Sequence, residues 1–216
     1  MPRAGRSPWV AALGLPLAAG LLIGVWAGIG LLLDGHTSAT EQGWIGDVEA
    51  GRSSPVTEAA KVLSTLGSSS VLVPLSLLVA LALVWRRQIG LAGFVVATLF
   101  GGVELAVAVK AIVGRPRPPL SERLVTIGST SFPSGHATQN AAILPALALV
   151  AVAFGAGRRI ALAVAVVLAF AVGLSRVLLG VHYPTDVVAG WLLGAAWLGC
   201  CCYVFPARAV TSGTEI

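Results

Sequence analysis

"SRVLLGVHYPTD", residues 175 to 186, brings an arginine, a histidine and an aspartate up against two long apolar runs. Ionisable groups beside hydrocarbon are unfavourable unless a partner or a function compensates them. The flanking runs, about 159–178 and 186–204, are each close to the roughly 20 residues that cross a bilayer as a helix. The stretch therefore reads as the connection between two membrane helices, with its polar residues held at one membrane surface.

The rest of the chain agrees. Hydrophobic residues make up 56% of 216 and charged residues 11%, against roughly 25% charge in a soluble domain, and mean hydropathy is +0.90. Four more apolar stretches, about 10–33, 69–85, 89–113 and 134–154, bring the number of spans to six. The expected fold is all-α: a polytopic membrane protein with six transmembrane helices, forming a single domain over residues 1–216. Arg3 and Arg6 precede the first span as they would a signal peptide, but the run is longer than a usual signal core and a polytopic chain follows. An uncleaved first span is the expectation.

Between the first two spans lies the longest polar connection, 34–55, which holds His36, read as an ordinary surface histidine. After it, "VTEAAKVLSTLG" (56–67) reads as a short interfacial helix or a plain loop, with Glu58 and Lys61 three residues apart.

Flanking charges orient the spans. Arg3, Arg6, Arg86, Arg87, Arg158, Arg159 and Arg208 fall on one side, and Asp34, Glu41, Asp47, Glu49 and Glu58 on the other. The positive-inside rule then places both termini in the cytoplasm of a cell whose inner membrane holds the protein. The net charge of +5 forms no long basic run, so nucleic acid is not an expected partner. Lys110, Arg115, Arg117, Arg123 and Arg176 break the rule by lying outside, which points to chemistry rather than topology.

Three segments meet on that outer face. In "KAIVGRPRP", Lys110 closes the third span, Arg117 lies just beyond it, and prolines 116, 118 and 119 stop the helix. "SFPSGHAT" has the marks of a helix start, with Pro133, a capping Ser134, Gly135 and His136 in the first turn. Free backbone N–H groups at such an end favour an anion. In the opening stretch Arg176 ends the fifth span, and the four-residue spacing of His182 and Asp186 lets the carboxylate reach the imidazole. Three cations, two histidines, one carboxylate and a helix N-terminus suit a phosphoryl group better than Mg²⁺ or Zn²⁺, for which ligands are too few. No cofactor is implied. Two histidines supply a nucleophile and an acid, in roles the chemistry leaves open.

These residues resemble the type 2 phosphatidic acid phosphatase superfamily, whose three-part signature is Lys-x₆-Arg-Pro, Pro-Ser-Gly-His and Ser-Arg-x₅-His-x₃-Asp. Lys110 with Arg117–Pro118, Pro133 to His136, and Ser175–Arg176 with His182 and Asp186 fill every position in order, and Gly180 matches the glycine usual in the third motif. The resemblance extends over all six spans and implies a helical bundle that hydrolyses lipid phosphate or diphosphate monoesters at the outer face. It implies that His182 is the nucleophile of a phosphohistidine intermediate, that Asp186 orients it, and that His136 protonates the leaving group. Lys110, Arg117, Ser134, Gly135 and Arg176 would hold the phosphoryl group. Undecaprenyl diphosphate, phosphatidylglycerol phosphate and phosphatidic acid are the candidate lipids. The superfamily also has relatives that bind vanadate and oxidise halides, but those are soluble. A transporter or a phospholipid-binding protein would explain the spans without requiring these spacings.

Other residues have simpler readings. Lys110 and Arg176 have snorkelling as their alternative. Arg115, outside the signature, suits a headgroup contact or surface role at least as well as phosphate binding. Glu104, inside the third span, is expected to partner a neighbouring helix. Trp9, Trp26, Trp85, Trp191 and Trp197 suit an interfacial belt or packing. Gly101, Gly102, Gly190 and Gly194 suit close helix contact, and Cys200 to Cys202 match no metal or redox spacing.

Overall fold

The computed structural model describes residues 8–33, 39–119, 121 and 123–205. His36, Asp34, Arg3, Arg6 and Arg208 lie outside the described residues. Eight helices are present among the described residues: α1 (Pro8–Leu33), α2 (Ala39–Ala50), α3 (Ser54–Leu66), α4 (Ser69–Trp85), α5 (Ile89–Val113), α6 (Gly135–Ala153), α7 (Arg158–Leu178) and α8 (Pro184–Val204). Six segments are long and apolar enough to span a membrane, the second of them running through α3 and α4. The six spans expected from sequence coincide with α1 and α4 to α8.

α6 forms the centre and packs against α5, α7, α8 and α4, while α1 lies across α5 and α8. In a bilayer, water expulsion between helices contributes little, so association depends on close fit and on hydrogen bonds. Gly194 supplies the fit: a Cβ there would overlap the Thr138 carbonyl of α6, and one at Gly190 would stand 2.7 Å from the Ser134 carbonyl. Tryptophans supply hydrogen bonds, Trp197 Nε1 donating to Ala97 O at 3.1 Å, Trp191 Nε1 to Ala169 O at 3.1 Å and Trp26 Nε1 to Ala189 O at 2.8 Å. Trp85, ending α4, is exposed as an interfacial residue would be. The side chain of Trp9 lies outside the described residues.

Two details differ from the sequence reading, and a third, the end of α5, is sharpened. α2 is a helix where a polar connection was expected, and its buried Glu41 ties it to the bundle. α5 ends before its prolines, at Gly114, which takes a left-handed φ of 68° and donates its N–H to Lys110 O. Glu104 was expected to partner a neighbouring helix; instead it is exposed on the outside of α5. The α5 residues that face α6 and α8 are Leu105, Ala106 and Val109, and Glu104 falls off that face.

α3 is a helix where the sequence left a short helix and a plain loop open. It starts with Pro55 in its first turn, carries an exposed Lys61–Glu58 pair at 2.8 Å, and turns Ala60 and Ser64 inward against α7.

Candidate active site

The C-terminal ends of α5 and α7 and the N-terminal ends of α6 and α8 converge beside α3 and the described residues of the α5–α6 connection. Ser134 caps α6, its Oγ accepting from Ala137 N at 3.4 Å. The α7–α8 turn reverses at Gly180, whose φ of 68° is strained for any residue with a Cβ. That reversal sets His182 just ahead of α8, and Asp186 one turn into it. The Tyr183 N–H donates to Asp186 Oδ2 at 3.0 Å, so the catalytic carboxylate candidate is also the acidic half of a capping box.

His182 Nδ1 lies 3.4 Å from Asp186 Oδ2, and its Nε2 lies 2.9 Å from Arg117 Nη1. A guanidinium only donates, so Nε2 is the acceptor and its lone pair faces Arg117. The ring proton therefore sits on Nδ1, toward the carboxylate. Burial first, then the nearby Arg117 and Lys110, hold the imidazole down at about 3, against the raising effect of Asp186. The free protein presents a neutral histidine with an unprotonated Nε2.

Arg117 contacts that nitrogen, and Lys110 and Arg176 lie near Arg117. Arg117 donates to Ser129 O at 2.6 Å, Val181 O at 2.5 Å and Thr130 O at 3.1 Å. Burial draws its pKa down to about 10. Lys110 Nζ donates to Thr130 O at 2.6 Å and Ser131 O at 3.1 Å. Arg176 donates from Nη1 to Ser64 Oγ of α3, while its Nε is buried with no partner among the described residues. His136, half-buried, hydrogen-bonds the Ser64 backbone and lies in electrostatic range of Arg176, Arg117 and Lys110. Gly135 passes Lys110 closely enough that a Cβ would meet its Cε at 3.9 Å. The structure thus brings Lys110, Arg117, Ser134, Gly135, His136, Arg176, His182 and Asp186 to one place. Among the described residues no three His, Cys, Asp or Glu side chains gather as metal ligands do.

Arg115 is the largest departure from the sequence reading. Its side chain is 1% exposed, which rules out a surface or headgroup role. Nη1 donates to Asp186 Oδ1 at 2.6 Å and Thr185 Oγ1 at 2.9 Å, and Nη2 to Glu41 Oε2 at 2.9 Å. The two carboxylates raise its pKa despite the opposing burial. Ser131 also escaped the sequence reading: fully buried, it donates to Asp186 Oδ2. Arg115 carried a signal in its position among outer-face cations. Glu41 carried none, being 74 residues away from Arg115 in the chain.

A sequence model of the PAP2 superfamily matches residues 74–209. Phosphatidylglycerophosphatase B of Bacillus subtilis is 33% identical over 158 residues, 71% of this chain and 71% of that protein. Decaprenylphosphoryl-5-phosphoribose phosphatase of Mycobacterium tuberculosis is 40% identical over 124 residues, 56% of this chain and 64% of that protein. The crystal structure of a transmembrane PAP2 type phosphatidylglycerolphosphate phosphatase from Bacillus subtilis superposes with a TM-score of 0.73 at 25% identity, covering 86% of this chain and 93% of that one.

Proposed function

Because this chain belongs to the PAP2 superfamily, we propose that it hydrolyses lipid phosphate or diphosphate monoesters at the outer membrane face through a phosphohistidine on His182. One observation carries the reading: an unprotonated Nε2 lies 2.9 Å from Arg117, beside two further cations. Such a nitrogen is a nucleophile in a site built for a phosphate dianion.

The phosphoryl oxygens exchange into the hydrogen bonds of Lys110, Arg117 and Arg176 and meet the α6 N-terminus at Ser134 and Gly135. Arg117 turns from Nε2 to the substrate, which frees the lone pair as the phosphorus arrives. Nε2 then forms its bond to phosphorus while the bond to the lipid oxygen breaks, and His136 gives that oxygen its proton. The ring gains positive charge, which Asp186 stabilises through Nδ1–H. Water activated by His136 next attacks phosphorus, the P–N bond breaks toward Nε2, and phosphate leaves. Lys110, Arg117 and Arg176 supply charge stabilisation that a metal provides elsewhere, so the reaction is metal-independent.

Both termini lie in the cytoplasm in this proposal, with Arg86, Arg87, Arg158 and Arg159 on the inner side. The relatives' names favour glycerolipid phosphate and polyprenyl-linked phosphate, and overlapping activity on isoprenyl diphosphate and glycerolipid phosphates is the proposed specificity. Phosphate release by purified protein from undecaprenyl diphosphate, phosphatidylglycerol phosphate and phosphatidic acid tests it. Release from none of them, with phosphate uptake into vesicles instead, would establish a transporter.

A further inference from the structure

We infer that Arg115, outside the three signature motifs, is a positioning residue that holds Asp186 against His182 and fastens both to the outer helix α2 through Glu41. The inference rests on the phosphohistidine reading above and deepens it.

Asp186 is fully buried, and its two oxygens are divided between two tasks. Oδ1 accepts from Arg115 at 2.6 Å, while Oδ2 accepts from Tyr183 N at 3.0 Å and from Ser131, and faces His182 Nδ1 at 3.4 Å. Arg115 acts on both sides of that division. Its guanidinium fixes Oδ1, and its backbone carbonyl accepts from Ser131 N at 2.7 Å, which holds the Ser131 hydroxyl on Oδ2. A carboxylate clamped at one oxygen and flanked at the other has one free direction left, toward the imidazole.

The clamp is itself anchored. Nη2 pairs with Glu41 Oε2 at 2.9 Å, and Thr185 Oγ1, in the first turn of α8, donates to Glu41 Oε1 at 2.5 Å. The Tyr183 ring lies 4.6 Å from the guanidinium carbon. A planar fork is needed to reach two carboxylates on opposite sides, and an ammonium on a flexible stem is a poor substitute. Both Nη atoms are engaged here and Nε is buried with no partner among the described residues, so Arg115 presents no open fork to phosphate; the arginine at His182 Nε2 is Arg117.

The charges fit the same role. Glu41, Arg115 and Asp186 together carry one net negative charge, set against a ring that becomes cationic when Nε2 is phosphorylated. Without Arg115 the buried Asp186 carboxylate would lose the cation at Oδ1 that fixes its orientation. The oriented Nδ1–H acceptor would be lost with it.

The test uses full-length protein in detergent, with Arg115→Gln, Arg115→Lys, Glu41→Gln, Asp186→Asn and the Arg115→Gln/Asp186→Asn double variant. Rapid-quench trapping gives the rate of phosphoenzyme formation, and steady-state turnover gives KM. Arg115→Gln should slow phosphoenzyme formation by about 100-fold, as loss of a charge-assisted hydrogen bond does, with KM little changed. Arg115→Lys should recover part of the rate. In the Asp186→Asn background the Arg115→Gln change should add almost nothing, since the charge it answers is gone. Glu41→Gln, which leaves the cation in place, should slow the same step by roughly fivefold and serves if Arg115→Gln fails to fold. A raised KM with an unchanged phosphorylation rate would make Arg115 a phosphate ligand and overturn the inference, as would fully additive losses. A wild-type enzyme that traps no acid-labile phosphoenzyme would overturn the underlying reading and the inference together, whereas normal trapping in both wild type and Arg115→Gln would overturn the inference alone.

Discussion

Replacing Asp186 with asparagine keeps the shape of the side chain and removes its charge, and the consequence follows from what each oxygen touches. Oδ1 accepts from Arg115, and Oδ2 accepts from Tyr183 N and Ser131 and faces His182 Nδ1, so every neighbour is a donor. An amide must turn its NH₂ toward one of those sides and meet donors there. The more costly loss comes when Nε2 bonds phosphorus and the ring becomes cationic. A unit charge on the ring, placed at the 3.4 Å separation of Nδ1 and Oδ2, interacts with the carboxylate by about 5 kcal/mol at an effective dielectric constant of about 20. At 1.36 kcal/mol per tenfold change, this predicts slowing of phosphoenzyme formation by roughly three to four orders of magnitude. Substrate binding precedes that charge, so KM should change by less than about threefold. Rapid-quench trapping with radiolabelled substrate measures the rate, and circular dichroism of the same sample checks the fold. A folded variant that phosphorylates within tenfold of wild type would refute the role of Asp186, as would a loss confined to KM.

Four further outcomes are expected. Histidine-selective ¹⁵N spectra should show His182 neutral with its proton on Nδ1 from pH 8 down to about pH 5, because burial holds its pKa at about 3 and the protonated form appears only as pH falls toward that value; titration near pH 6.5 would contradict the geometry. His182→Ala should abolish the acid-labile phosphoenzyme, while His136→Ala should impair an alkyl phosphate severely and an aryl phosphate less, since the aryl leaving group needs less protonation; trapping in the first variant and none in the second would reverse the roles. Activity should persist in excess EDTA, and complete loss restored by one divalent ion would sink the cationic mechanism. In a chain freed of its native cysteines, one placed at exposed Ser121 should react with an impermeant thiol reagent outside intact cells, and one at Arg87 should not; the reverse pattern would invert the orientation.

The bundle was legible because spans are long, apolar and separated by charge, and α4 to α8 end within a few residues of the apolar runs. The core of the site was legible for a different reason. Each signature segment sits at a helix end, so Lys110, Ser134, Arg176 and Asp186 are placed by local geometry once the helices exist. What sequence did not reveal depends on contacts between distant segments. Glu41 has no local mark that distinguishes it from Glu49 or Asp47, and only the docking of α2 buries it. Arg115 looked like a surface cation because its two carboxylate partners are 71 and 74 residues away. Glu104 was read from its depth in the span, but partnering depends on helix rotation, and one residue of periodicity turns it outward.

Burying cations is unfavourable, and the way this chain offsets the cost also suits the proposed phosphate site. Lys110 and Arg117 donate mainly to the carbonyls of Val181 and of Ser129 to Ser131, which are dipoles rather than charges. Carbonyls satisfy the donors well enough for the chain to fold, yet leave their charge unneutralised. A carboxylate in the same place would neutralise it and compete with substrate. The buried carboxylates of the site, Glu41 and Asp186, are instead committed to Arg115, on the far side of the His182 ring from Arg117. Charge is thereby sorted across the imidazole, positive at Nε2, where phosphate binds in the proposed mechanism, and negative at Nδ1, where the ring proton points. Neutral imidazole lies along that field before substrate arrives, so little reorganisation remains for the transition state. The sorting requires Arg115 and Arg117, two residues apart, to face opposite ends of one histidine, and they do so from the non-helical stretch that follows α5, where Ser131 N donates to Arg115 O.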